Sequence, residues 1–441
     1  MIVLPGGAAA LIDRLERAGY TAWAVGGGVR DSLRGETPHD WDVATSARPG
    51  ELLRALGGLT VRPTGLKHGT VTVRADGADF EVTTYRVESA YSDGRHPDRV
   101  EFVDAIEDDL ARRDFTINAM AWHPARGLCD PFGGQDDLRR GLIRAVGDPA
   151  RRFTEDALRI LRGLRFAART GFAIEPATAW AMWDCAPLLD RIAAERIRDE
   201  LCGLLAGRYA GRVLRAYPHL LARVLPELTP MFGHGQHNPH HKFDVWEHTV
   251  RAVEAAPCDP VLRMALLLHD CGKPACYTMD GKGIGHFYGH PAASAEIAAP
   301  LLERLRFSNA DRARIERLVR FHDYPLGDDA RTVRRRLARF GEDDFRALLL
   351  MKKCDATGQL THPENLAGLA RTARLADEAL AADACLSLRQ LAVRGDDLLA
   401  LGLRGPAVGA MLDRLLELVV GGELENDRAA LLARAQREEL P

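Results

Sequence analysis

The sequence predicts an α+β chain, with a small mixed-sheet head over residues 1–147 and an all-helical remainder. Three observations predict it. Short strand-like runs interleave with helical periodicity up to Asp148, strand signals stop there, and Ala- and Leu-rich helical patterning continues to the C-terminus. At about 150 residues per domain, a chain of 441 residues holds roughly three domains. The composition shifts suggest a head at 1–147, a helical neck at 148–225, a His-bearing helical domain at 226–370 and a helical tail at 371–441.

In the head, Leu11, Ile12, Leu15 and Ala18 recur at helical spacing before Gly19. Tyr20–Val25 reads as a strand, Gly26–Gly28 as a tight turn, Val29–Leu33 as a helix start and Trp41–Val43 as a second strand. Thr70–Arg74 and Phe80–Tyr85 flank Asp76-Gly77, a hairpin signal. Beyond the head, helices are expected over 154–169, with Thr154 as N-cap, and over 176–189 and 194–206. A Pro-, Gly- and His-rich stretch at 226–242 marks a domain entrance. Helices follow at 246–256, 260–270, 291–305, 310–321, 330–340 and 342–352.

Composition excludes several classes. Lys and Arg number 59 against 62 Asp and Glu, a net charge of −3, so this is no uniformly basic nucleic-acid coat, although a local basic groove remains open. Only six of the 59 are Lys, which suits coding in a GC-rich genome, so position rather than number selects the arginines that matter. Apolar runs fall short of the ~18–20 residues of a membrane span, and no signal peptide is expected. Eight Cys without a C-x-x-C pair point to reduced thiols and a cytoplasmic setting.

Asp40-Trp41-Asp42 sets two carboxylates at i and i+2, which a strand points to one side. Such a pair repels itself in water and suits a shared divalent cation, as phosphoryl and nucleotidyl transfer require. Upstream, Gly26-Gly27-Gly28-Val29-Arg30-Asp31 joins a strand to a helix. Glycine there lets backbone N–H groups approach phosphates, Gly27 among them, and Arg30 is a candidate clamp. Neither a Walker A loop nor G-x-G-x-x-G matches this spacing. Glu81, on the second hairpin strand, is a candidate third carboxylate, the alternative being a plain exposed strand position.

GGGVRD followed by PHDWDVATSARP resembles the head of the class II tRNA nucleotidyltransferases and bacterial poly(A) polymerases. Arg112-Arg113-Asp114-Phe115-Thr116-Ile117-Asn118-Ala119-Met120 matches the R-R-D-x-x-I-N-A-M segment of that family, and Glu155-Asp156-Ala157-Leu158-Arg159 its E-D-x-x-R segment. The resemblance spans roughly residues 20–205 and implies a polymerase-β-like head using Mg²⁺ held by Asp40 and Asp42.

Nine Arg stand against three acids between 139 and 169, a balance that suits a polyanion. Arg159, Arg162 and Arg165 share much of one helix face. An acid acceptor and a forked Arg donor can together mimic a Watson–Crick partner for cytosine or adenine and reject guanine and uracil. The resemblance assigns that role to Asp156 and Arg159, and nucleotide or triphosphate contact to Arg113, Arg162 and Arg165; Asp114 and Asn118 are expected to shape the pocket. The polar loop at 86–98 resembles the loop that family members use when adding A, which favours A addition over CC alone.

Eight of the fifteen His fall between 234 and 290. The order His248, His269-Asp270, Asp355 resembles the HD metal-dependent phosphohydrolases, whose His/Asp ligands suit Mn, Ni, Fe or Mg. His290 and His322 resemble the extra histidines of a second metal position in some of them. Lys273 is a candidate phosphate contact or a helix cap.

The reading implied is CCA addition to tRNA from CTP and ATP, with Mg²⁺, no membrane, and a second divalent metal serving a phosphatase or 2′,3′-cyclic phosphodiesterase. Poly(A) or A-only addition is the nearest alternative. A phosphohydrolase with a non-catalytic RNA-binding head, and a wholly non-catalytic RNA-binding protein, are alternatives of other classes.

Overall fold

A computed structural model describes residues 2–89, 99–239, 242–359, 363–382 and 384–439. Residues 90–98 of the polar loop expected at 86–98, and His240 and His241 of the Pro-, Gly- and His-rich stretch, lie outside the described residues. The chain divides into two compact units, Met1–Pro226 and Glu227–Pro441.

The first unit holds nine strands that matter here: β1 Ala22–Val25, β2 Asp42–Thr45, β3 Thr60–Gly65, β4 Thr70–Ala75, β5 Ala78–Thr84, β6 Arg86–Ser89, β7 Arg99–Phe102, β8 Ala121–His123 and β9 Gly127–Cys129. Seven form one sheet in the order β3-β4-β5-β2-β1-β8-β9, and β6 and β7 form a separate ribbon. The turn between β4 and β5 has positive φ at both Asp76 (47°) and Gly77 (77°), the backbone that the Asp-Gly signal specifies. The sheet is mixed because β2 runs parallel to β5, in a register that sets Asp42 opposite Glu81.

Alternation along the strands buries both faces. Val43, Val71, Val73 and Val82 pack with Leu11, Leu15 and Leu52 on one side, and Val25, Ala44 and Tyr85 pack with Leu110, Ala119 and Ala121 on the other. Asp42 precedes Ala44 by two residues and so leaves the sheet on that second side, at its end.

Three details correct the sequence reading. The second strand begins at Asp42, not Trp41, so Asp40 lies just before it. Gly26, at φ 74°, caps a helix Gly27–Leu33, so the glycines start a helix rather than form a free turn. The helix expected over 154–169 is two helices, Pro149–Glu155 and Leu158–Thr170. Asp148, not Thr154, caps the first, accepting from the Arg151 N–H, while Thr154 donates its hydroxyl to the Ala150 carbonyl. Asp156 breaks the run with an extended backbone (φ −147°, ψ 103°) and accepts the Leu158 N–H, which restarts the helix.

The second unit is helical, built from Val245–Ala255, Pro260–Leu268, His290–Arg304, Asn309–Phe321, Ala330–Phe340, Glu342–Gln359 and Pro363–Ala381, with Pro406–Val420 and Arg428–Glu439 after them. Helix Glu342–Gln359 outruns the expected 342–352, and Asp355 lies on the extension. Residue 370, where the third domain was expected to end, falls inside Pro363–Ala381. No described helix is long and apolar enough to cross a membrane.

Gly28 brings the start of helix Gly27–Leu33 against the acid-bearing segment. A Cβ there would meet the Trp41 ring at 2.7 Å and the Asp40 carbonyl at 3.0 Å. Gly28→Ala is expected to lower stability by about 1–3 kcal/mol through overpacking, measured by denaturant unfolding.

Candidate functional site

Within the first unit, a cavity of about 860 Å³ opens beside the end of β2. Asp40, Asp42, Gly27, Arg30, Arg113, Asp156, Arg159, Arg162 and Arg165 all line it, and Arg112, Phe166, Arg169 and Arg196 line it too. Glu81 is not in the lining; it stands behind Asp42, across the parallel β2–β5 pair. Burial pushes the Asp42 carboxyl up, and Glu81 and Asp40 add to this against Arg113, bringing it to about 6. A carboxylate held this way gains from a cation at its open side. The donor set, all oxygen, fits Mg²⁺.

The arginines are anchored rather than loose. Arg159 donates to Glu155 Oε2 at 2.8 Å and to the carbonyls of Arg152 (2.9 Å) and Arg112 (3.0 Å). Arg162 pairs with Asp114 at 2.7 Å, and Arg165 with Glu200 at 2.6 Å. Arg30, the candidate clamp, is buried and donates to Asp31 (2.8 Å) and Asn118 (2.6 Å). The Phe166 ring lies within 5.5 Å of the guanidinium carbons of Arg30, Arg162 and Arg165, so one aromatic ring steadies three cations. Asp156 sits at the helix break with its carboxylate forked by Arg196.

Sequence reasoning missed Phe166, Arg112, Arg169 and Arg196. Arg169 follows Arg165 by four residues and continues the basic face, a signal that could have found it. Arg112 adjoins the matched Arg113. Phe166 reads as ordinary core, and Arg196 has no local signal, since its partner is 40 residues away.

Asp114 underlies the cavity floor. Burial favours its neutral form, but Arg162, Asn118 and the Phe115 N–H outweigh this and hold it down at about 2.

The second unit gathers a separate cluster. His248 Nε2 lies 2.8 Å from Asp355 Oδ1 and 3.4 Å from Asp270 Oδ2, and His269 Nε2 lies 3.2 Å from Asp270. Ligand atoms of His248, His269 and Asp270 fall within 4.8 Å of one another, as do those of Asp270, His290 and His322. In His269, His290 and His322, Nδ1 lies 2.6–2.8 Å from the carbonyl three residues back. An Nδ1–H donated there leaves Nε2 as the lone-pair face, the tautomer a metal needs. Burial drives His322 down to about 3. Burial also works against charge on His269, but Asp270 and Asp355 bring it up to about 10, so a metal would displace a proton. Lys273 Nζ reaches Asp270 at 2.7 Å and Gln236 Oε1 at 2.9 Å.

Residues 22–144 match the poly A polymerase head domain, 171–232 a probable RNA and SrmB-binding site of polymerase A, and 292–435 a putative tRNA nucleotidyltransferase domain 2. The CCA-adding enzyme of Leuconostoc mesenteroides is 51% identical over 204 residues, which is 46% of this chain and 50%, about half, of that relative's length. That of Levilactobacillus brevis is 35% identical over 426 residues, 96% of this chain and 95% of the relative. The crystal structure of the Bacillus stearothermophilus CCA-adding enzyme in complex with CTP superposes with a TM-score of 0.74 at 29% identity, covering 98% of this chain and 96% of that one.

Removing the Asp114 side chain leaves Arg162 without its closest partner, so Asp114→Ala is expected to cost about 1–3 kcal/mol of stability near neutral pH. The depressed folded value means the Asp114 contribution is present above the ordinary carboxyl value of 3.8 and is lost as pH falls through about 2. The stability gap between wild type and variant should therefore narrow below about pH 4 in denaturant titrations.

Proposed function

The chain belongs to the CCA-adding enzyme family, and we propose that it restores or completes the 3′ end of tRNA with CTP and ATP, releasing pyrophosphate. The cavity that joins Asp40 and Asp42 to Asp156 and Arg159 within one unit carries this reading. Asp40 and Asp42 would hold Mg²⁺, which supplies charge to favour the attacking oxygen and offset the leaving pyrophosphate. Glu81 strengthens the field at Asp42. Arg113, Arg162 and Arg165 orient the nucleotide and its triphosphate, and the N–H groups at Gly27 face the phosphates. Arg30, committed to Asp31 and Asn118, shapes the site from below.

Asp156 accepts from the exocyclic amine of cytosine or adenine, and Arg159 donates to the ring nitrogen of either base and to the carbonyl of cytosine. Glu155 and the carbonyls of Arg152 and Arg112 anchor Arg159. The RNA end attacks the α-phosphate in line, and phosphate contacts dominate tRNA binding.

A second reading concerns the histidine–aspartate cluster. His248, His269, Asp270 and Asp355 would hold a divalent metal (Mn, Ni, Fe or Mg), with Asp270, His290 and His322 offering a second position. Three imidazoles with Nδ1 turned to a carbonyl support it. The centre would act as a phosphatase or 2′,3′-cyclic phosphodiesterase, clearing damaged 3′ ends before addition.

Purified protein given tRNA lacking CCA should add C, C and A and then stop, and Asp42→Ala should lower this by about a hundred- to a thousandfold, the order lost with a central electrostatic group. Repeated addition of A alone would instead establish a poly(A) polymerase. Asp270→Ala should abolish phosphoester hydrolysis with Ni²⁺ or Mn²⁺ and leave nucleotide addition intact; loss of both activities in a folded variant contradicts separate sites.

A further inference from the structure

We propose that Arg196 is a positioning residue for base selection, acting through Asp156; this rests on the base-reading role of Asp156 proposed above. Asp156 and Arg159 act on one nucleotide edge, yet each is held by different groups. Arg159 is fixed by Glu155 and two backbone carbonyls. Asp156 has no such cradle on its own helix, because it occupies the extended residue between two helices.

Its carboxylate is oriented from two directions. Oδ1 accepts the Leu158 N–H at 3.0 Å. Arg196, on helix Ala194–Leu205, donates Nη2 to Oδ2 at 2.8 Å and brings Nη1 to 3.5 Å from Oδ1. The backbone bond fixes one oxygen, and the guanidinium fork fixes the plane of the group. An ionised carboxylate offers about four acceptor positions. With two oxygens engaged on defined sides, the lone pair left on Oδ2 has a set direction into the cavity, which Arg196 also lines.

Direction decides specificity here. Cytosine and adenine present an amine donor where uracil and guanine present a carbonyl acceptor. A fixed acceptor repels that carbonyl. A carboxylate free to rotate can turn its oxygens away and let water or a neighbouring arginine satisfy the wrong base. Arg196 also keeps Asp156 from swinging to Arg162, whose charge already feels it. Lys at 196 would keep the positive charge but lose the planar fork.

The test measures kcat/KM for single-nucleotide addition of CTP against UTP, and of ATP against GTP, on tRNA acceptors with wild-type, Arg196→Ala, Arg196→Lys and Asp156→Ala proteins. Thermal unfolding would check that each variant folds. Arg196→Ala should lower both preference ratios by about tenfold or more, within the discrimination one bidentate contact supplies. Arg196→Lys should recover part of that loss, and it carries the test alone if the alanine variant does not fold. Uniform slowing with every nucleotide, ratios unchanged, would overturn the positioning role while leaving Asp156 in place. Unchanged ratios in Asp156→Ala would overturn the base-reading assignment itself, and this inference with it.

Discussion

The parallel pairing of β2 and β5 is the constraint on which the first unit turns. It sets Asp42 directly opposite Glu81, and the chain delivers Asp40 two residues earlier. Burial, Glu81 and Asp40 all raise the Asp42 carboxyl, and Arg113 is the cation that opposes them. Like charges directly opposed on a sheet destabilise it, and no packing advantage explains putting them there. A divalent ion reverses the sign of the interaction, turning mutual repulsion into shared ligation.

The rest of the cavity follows the same economy of motion. Its cations are tied to buried or half-buried acids: Arg162 to Asp114, Arg165 to Glu200, Arg159 to Glu155. Anchored guanidinium groups lose little further entropy on meeting an anion, so the site is built before the nucleotide arrives. The second unit uses the same device with other chemistry. There, carbonyls at the ends of helices face Nδ1 of His269 and His322, and their Nε2 atoms lie toward Asp270. In each place, supporting groups set the direction of the polar side chains that face the cavity or cluster.

Much of this was legible in the sequence, and the limits are physical. The Asp-x-Asp, the hairpin about Asp76-Gly77 and Glu81 could be combined because strand period and turn chemistry are local. The order of His248, His269, Asp270 and Asp355 was legible only through its resemblance to the HD phosphohydrolases; His248 and Asp355 lie on helices, while His269 and Asp270 follow the end of Pro260–Leu268. The break at Asp156 was not, because apolar spacing runs through residues 149–170 without Pro or Gly at the break itself, and a side-chain cap is what divides it. The internal commitment of Arg30 was hidden because its partner Asn118 is 88 residues away. Arg196 was invisible for the same reason. Local rules find the groups that carry the chemistry; long-range contacts decide how they are held.

The central claim is that Asp40 and Asp42 grip a divalent ion beside a nucleotide whose base reaches Asp156 and Arg159. Crystals grown with CTP and Mn²⁺, measured at the manganese edge, test it most directly. The account predicts an anomalous peak about 2.0–2.2 Å from oxygens of both Asp40 and Asp42, with the cytosine edge against Asp156 and Arg159. CTP bound in that cavity with manganese away from both carboxylates, or with its base turned from Asp156, would contradict it.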